Sequence, residues 1–151
     1  MGKEIERKFK IKEMPDLNAY PFKYIEQGYL NTKPVIRVRM EDETFYMTYK
    51  GKGHIEREEY NLPLNRESYE HLIKKADGRI ICKKRYLIPY EGYTIELDVF
   101  EKDLAPLVLA EVEFETLKEA NDFIPPEWFA QDVSEDKNYT NAHLALSQEN
   151  K

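Results

Sequence analysis

Glu4-Ile5-Glu6-Arg7-Lys8-Phe9-Lys10 interleaves charged and apolar side chains near the start of the chain. Side chains along a strand alternate between two faces, so Glu4, Glu6, Lys8 and Lys10 share one face and Ile5, Phe9 and Ile11 the other. The two carboxylates then stand about 7 Å apart at their bases, twice the rise per residue. They repel unless positive charge lies between them. A divalent cation answers that repulsion, and Lys8 can hold an anion beside it. Taken alone, the stretch is also what the solvated outer face of an amphipathic strand looks like. The strands that follow separate the two readings.

Working outward, the spacing predicts strands over 3–11, 23–31, 35–42, 45–51, 55–62, 79–89, 93–100 and 107–115. Nearly every one sets an apolar face against an ionised face, and the ionised residues come in same-sign pairs one residue apart. Glu4/Glu6, Glu96/Asp98 and Glu111/Glu113 are acidic; Arg37/Arg39, Lys50/Lys52 and Lys83/Arg85 are basic; Arg57/Glu59 is mixed. A solvated face tolerates neutral polar residues and mixed signs freely, and like charges facing each other across a ladder are costly. A sheet closed into a barrel, with its apolar face outward under helices, explains the pairs better: the charges line the interior. Such an interior is expensive without a guest, because a buried charge costs several kcal/mol unless paired. A polyanion would neutralise the basic rows and a metal the acidic ones. The guest that satisfies both is a chain of phosphates carrying Mg2+ or Mn2+, hard cations that take oxygen ligands.

Composition supports one domain over 1–151: 18.0 kDa, 41% hydrophobic and 34% charged. The formal net charge of -6 argues against non-specific nucleic-acid binding, without excluding a local basic cavity. No apolar run reaches membrane-spanning length, the N-terminus is charged where a secretory signal is apolar, and Cys82 is the single cysteine. A cytoplasmic protein with no membrane partner is expected, as a monomer or a homodimer. Helices are predicted over 65–77, capped by Asn65 and ended by Gly78, over 116–123 with Thr116 as cap, and over 140–148. Glu91-Gly92 is a hairpin turn signal. With hairpin-linked strands in the majority, the class is α+β with a mostly antiparallel sheet.

Glu4-Ile5-Glu6-Arg7-Lys8 resembles the ExExK signature of the CYTH domain, or triphosphate tunnel metalloenzyme, family. The resemblance runs along most of the chain: Arg37-Val38-Arg39, Thr48-Tyr49-Lys50, Arg57-Glu58-Glu59, Lys83-Lys84-Arg85-Tyr86, Glu96-Leu97-Asp98-Val99-Phe100 and Glu111-Val112-Glu113-Phe114 are similar to successive family strands, and 133–145 to the family's tail with its single basic residue, Lys137. It implies a closed eight-stranded antiparallel barrel, a tunnel with helices packed outside. It implies metal ligation by Glu4, Glu6 and Glu113 with Glu111 close by, and triphosphate binding by Lys8, Arg37, Arg39, Lys50, Arg57, Lys83, Arg85 and Lys137. Glu59, Glu96 and Asp98 are implied to orient the basic rows or a water. The catalytic set is Glu4, Glu6, Lys8, Arg39, Lys83, Arg85 and Asp98. The implied activity is metal-dependent hydrolysis of a small-molecule triphosphate, inorganic tripolyphosphate first. A cyclase acting on ATP or a thiamine triphosphatase of the same fold, and a non-catalytic polyphosphate or nucleotide binder, are the alternatives.

Other residues read as structural. His54, His71 and His143 lack metal-ligand spacing. Parity turns Cys82 toward the apolar face, away from Lys83. Gly51-Lys52-Gly53 lacks the phosphate-loop pattern and reads as a turn, so parity does not fix Lys52 in the tunnel. Trp128 and Phe129 are expected over the outer face or the mouth, and Tyr29 and Tyr86 near the tunnel.

Overall fold

Both faces of the first strand are used. β1 (Lys3–Ile11) buries Glu4 and Lys8 on one side and Ile5 and Phe9 on the other. The structure, a computed structural model, describes residues 2–146. After β1 come β2 (Phe22–Thr32), β3 (Val35–Glu41), β4 (Thr44–Lys50), β5 (Glu56–Leu64), α1 (Arg66–Ile73), β6 (Asp77–Tyr90), β7 (Tyr93–Phe100), β8 (Val108–Glu113), α2 (Leu117–Asp122), β9 (Phe129–Asp132) and α3 (Asn141–Leu146). Every pairing is antiparallel. The order β5-β4-β3-β2-β6-β7-β8-β1 is closed by β1 against β5, giving the expected eight-stranded barrel.

β9 is an addition that the sequence pattern does not announce. It pairs with β1 at Phe9 and Ile11, on the edge that β5 leaves after Ile5. Arg7 fixes it there: the guanidinium donates to Asp132 Oδ2 from Nε (3.0 Å) and Nη2 (2.8 Å), and from Nη1 to the Ala120 carbonyl at 2.8 Å. One side chain therefore ties β1, β9 and α2 together.

The apolar core lies outside the barrel wall. Ile5, Phe9, Ile88, Ile95, Leu97, Ala110 and Val112, from β1, β6, β7 and β8, pack against Ala120 and Phe123 at α2 and against Phe129. α2 is capped as expected, the Thr116 hydroxyl accepting from the Glu119 N–H at 3.1 Å. Glu91 and Gly92 join β6 to β7 with positive φ at both positions (52° and 85°), the two-residue turn that matches strand twist.

α1 covers β2 to β4, with Tyr69 buried beneath it. Asn65 caps it, Oδ1 accepting from the Ser68 N–H at 2.7 Å. It ends at Ile73, four residues short of the expected boundary. The reason is packing. A Cβ on Gly28 of β2 would stand 2.7 Å from Ala76 Cβ and 2.9 Å from Ile73 Cδ1, so the turn after the helix lies directly on the bare backbone of β2. Gly78, expected to stop the helix, belongs to β6 with φ +71°.

α3 corrects the expectation that all helices pack outside. Its Leu144 and Ala145 belong to one buried cluster with Tyr29, Val35, Ile81, Phe100 and Leu109, which share strand parity with the inward-facing charges. α3 thus stoppers one end of the barrel with apolar side chains. Its expected continuation to Gln148 lies outside the described residues.

Candidate active site

The β1–β8 register sets Glu6 directly across from Glu113, and Lys8 across from Glu111. Like charges opposed in this way are destabilising. Glu4 joins the first pair: carboxylate oxygens of Glu4, Glu6 and Glu113 lie within 4.8 Å of one another. The three groups respond differently. Burial works to raise the Glu4 pKa, but Lys50 outweighs it and brings the group below its ordinary value; Lys50 Nζ stands 3.1 Å from each Glu4 oxygen. Glu6 is held well above the carboxylate range by desolvation and then by Glu111 and Glu4. Glu113 is pushed up to about 7, first by desolvation and then by Glu96, Glu4, Glu111 and Glu59, although the residue as a whole keeps contact with water. An all-oxygen donor set whose members repel one another fits a hard divalent cation.

Glu111, two residues from Glu113, stands outside this trio. It faces the cations: Lys8 Nζ at 3.4 Å and Arg85 Nη2 at 3.2 Å. Its carboxyl stays well below the usual range because Lys8, Arg85, Lys83 and Lys50 overcome the cost of burial. Asp98 is the other internal anchor. Arg85 forks onto it with Nε–Oδ1 2.7 Å and Nη2–Oδ2 2.9 Å, Lys83 Nζ lies 2.7 Å from Oδ2, and Glu96 takes Arg85 Nη1 at 3.2 Å. Lys83 is 0% exposed. Desolvation, helped by Arg85 and Arg39, outweighs the pull of Asp98 and lowers its pKa to about 8.

On β3, Arg37 donates to Thr48 Oγ1 at 3.2 Å and Arg39 to Gln27 Oε1 at 2.7 Å and Tyr46 at 3.2 Å. Both arginines are buried. Lys8 Nζ also donates to the Tyr139 carbonyl at 2.9 Å, which links β1 to the segment leading into α3.

A cavity of about 780 Å³ enters this interior between α3, the β2–β3 hairpin and the 51–54 loop. Lys8, Arg37, Lys50 and Arg57 line its depth, and Lys33, Lys52 and Lys137 its rim, against only Glu6 and Asp136 among the acids. On a chain of net charge -6, that lining is a local cationic funnel.

The structure thus brings Glu4, Glu6, Lys8, Arg37, Arg39, Lys50, Lys83, Arg85, Glu96, Asp98, Glu111 and Glu113 together along one interior. Arg57 is half-buried, its Nε donating to the Gly51 carbonyl at 3.3 Å, and Glu59 lies 3.9 Å from Lys50. Lys137 is exposed at the rim, as are Lys52 and His54. Tyr29 is buried within the lumen face, whereas Tyr86 packs on Phe22 outside at 5.3 Å. Trp128 packs edge-on to Phe129, which lies in the outer core. Sequence reasoning, which sought charge, put Tyr46 and Thr48 on the Lys50 face without giving them a role, and passed over Gln27. Strand parity with Tyr29 was the signal that could have placed Gln27 in the lumen.

The chain is a closed barrel with an ionic interior and a carboxylate trio beside a cationic cavity. The CYTH domain model matches residues 2–142, and the chain belongs to the CYTH domain family. It is 42% identical over 151 residues to an inorganic triphosphatase of Nitrosomonas europaea, covering 95% of this chain and 97% of the relative. It is 34% identical over 150 residues to an inorganic triphosphatase of Acetivibrio thermocellus, covering 95% and 94%. Among solved structures, the inorganic triphosphatase NE1496 superposes with a TM-score of 0.73 at 38% identity, over 97% of each chain.

Proposed function

We propose that this chain acts as one CYTH unit that hydrolyses inorganic triphosphate to pyrophosphate and phosphate with Mg2+ or Mn2+, in the reducing setting of the cytoplasm. The observation that carries the reading is the carboxylate trio of Glu4, Glu6 and Glu113 set against a lumen of buried cations. The similarity to two inorganic triphosphatases supports the choice of substrate. The buried, unpaired Cys82 is consistent with the compartment.

Glu4, Glu6 and Glu113 would hold the divalent cation, and Glu111 would position Lys8 and Arg85. A bound cation supplies charge neutralisation at phosphate oxygens and lowers the pKa of a coordinated water. Everything else falls to the side chains. Lys8, Arg37, Lys50 and Arg57 draw the triphosphate in from the cavity, and Lys137 meets it at the rim. The water oxygen bonds to the terminal phosphorus as the bond to the bridging oxygen breaks, the water gives up a proton to the solvent, and pyrophosphate departs. Arg39, Lys83 and Arg85 neutralise the charge that builds on the leaving oxygen, the main work in phosphoryl transfer. Asp98 holds Lys83 and Arg85, Glu96 holds Arg85, and Glu59 stands beside Lys50 before the substrate arrives.

The test is phosphate release from tripolyphosphate with magnesium or manganese, run beside ATP and thiamine triphosphate. Tripolyphosphate should be turned over fastest, and Glu6→Ala should lower turnover by at least about a hundredfold. Cyclic AMP formed from ATP, binding without turnover under either metal, or full activity in Glu6→Ala would each refute the reading.

A further inference from the structure

The lumen face of β2 carries Ile25, Gln27 and Tyr29 in succession. Gln27 is 0% exposed. Its Oε1 accepts from Arg39 Nε at 2.7 Å, and its Nε2 has no hydrogen-bond partner among the described residues. A guanidinium only donates, so the amide oxygen must face Arg39 and the NH2 must point elsewhere. A buried donor without an acceptor is a standing cost to the fold, larger than the gain from an ordinary hydrogen bond. Native interiors keep few of them, and those they keep call for an acceptor.

The surroundings say which acceptor. The β2–β3 register places Arg39 opposite Gln27 and Arg37 opposite Tyr29. Arg37 Nε is likewise buried without a hydrogen-bond partner among the described residues. Two orphaned N–H groups, at neighbouring interior positions of adjacent strands, together with two guanidinium cations, match the oxygens of an anion. A neutral donor also suits the position. A further cation beside Arg37, Arg39 and Lys83 would add like-charge repulsion, whereas an amide adds a hydrogen bond without adding charge.

We propose that Gln27 is a substrate-contacting residue whose side-chain NH2 donates to a non-bridging oxygen of the bound triphosphate while its carbonyl oxygen holds the Arg39 guanidinium. This rests on the reading above that triphosphate occupies the lumen. It adds a residue that charge-based reasoning passes over, and it gives Gln27 two separable duties.

Two variants separate them. Gln27→Glu keeps an acceptor for Arg39 and replaces the donor with an anionic oxygen; Gln27→Leu removes both groups. With magnesium tripolyphosphate as substrate, Gln27→Leu should raise KM by roughly tenfold to a hundredfold, the range for a hydrogen bond to a charged group, and Gln27→Glu should raise it further. A wild-type KM in Gln27→Glu overturns the contact and leaves only a positioning role through Arg39. A readout on the unaltered protein guards against variants that fold poorly: the Gln27 side-chain 15N–1H2 signals should shift when tripolyphosphate saturates the protein in the presence of a chelator. No shift at saturation overturns the proposal. If the wild-type protein neither binds nor hydrolyses tripolyphosphate, the triphosphatase reading itself fails. If it does both and Gln27 proves indifferent, only this assignment fails.

Discussion

Lys8 and Phe9 are adjacent on β1 and nearly equally hidden from water, at 8% and 1% exposure, yet they are buried for opposite ends. Phe9 joins the outer core, where its ring lies 4.7 Å from Phe129 and 6.1 Å from Phe123, and its burial drives folding. Lys8 enters the lumen, where desolvation works against it and Glu111, then Glu6, Asp98 and Tyr29, keep its pKa raised. The same strands build both regions, one from each face. The wall's outer surface supplies the stability, and its inner surface spends part of it to keep charges ready for a guest. Stability and function are therefore divided residue by residue rather than domain by domain.

Three outcomes would break or sharpen that division. The largest effect belongs outside. Phe9→Ala should cost about 3–5 kcal/mol and lower the midpoint of thermal unfolding by about 10 °C or more, and added tripolyphosphate should restore no more than it gives the wild-type protein. Next comes the lumen: Asp98→Asn strips Arg85 and Lys83 of their shared anion. The expected loss is about 3–5 kcal/mol at most, the range for breaking a buried pair. Here tripolyphosphate should restore more than it adds to the wild type, because an anion takes the place of the lost carboxylate. Equal rescue of the two variants in a thermal-shift titration would erase the distinction between wall and lumen.

The smallest effect concerns the carboxylate trio. Glu113 titrates at about 7 in the folded chain against an ordinary 4.5, and Glu6 is raised as well. Folded pKa values above the unfolded ones mean that the folded state binds more protons. Stability is then fully present below about 4.5 and is lost as pH rises through about 7. The metal-free protein should accordingly unfold at lower temperature at pH 7.5 than at pH 5, by on the order of a few degrees given the solvent access of Glu113. Glu113→Gln should flatten that slope, and magnesium should raise the midpoint most at the higher pH. A pH-independent midpoint in the metal-free wild type would deny the repulsion.

Much of this was legible in the primary structure because strand parity is rigid. The same-sign pairs could not all face water, and once they faced inward the barrel, its apolar exterior and the cation rows followed together. What parity cannot supply is register. Glu111 and Glu113 look equivalent in spacing, but pairing with β1 sets one against Lys8 and the other against Glu6, which separates an anchor for cations from a candidate metal ligand. Long-range pairing also hid β9, whose four residues are too few to show a period and form a strand only because β1 offers an open edge. α3 was foreseen as a helix but not as a stopper, since its partners Ile81, Phe100 and Leu109 come from three different strands. Parity with Tyr29 could have put Gln27 in the lumen, but its missing partner is visible only once neighbours are in place.

The hoop is fastened by a short seam: β1 meets β5 over three residue pairs at Lys3–Ile5, flanked by one backbone hydrogen bond on each side, Glu6 to Ile55 and Glu59 to Gly2. Glu4 sits in that seam, while Glu113 belongs to β8 on the far edge of β1. A cation shared by Glu4, Glu6 and Glu113 would therefore tie β1, one side of the fastening, to β8 from within. Ion uptake and cohesion of the ring become linked equilibria, so stripping divalent ions from this protein should do more than silence it: it should loosen the hold of β8 on the strand that makes the join.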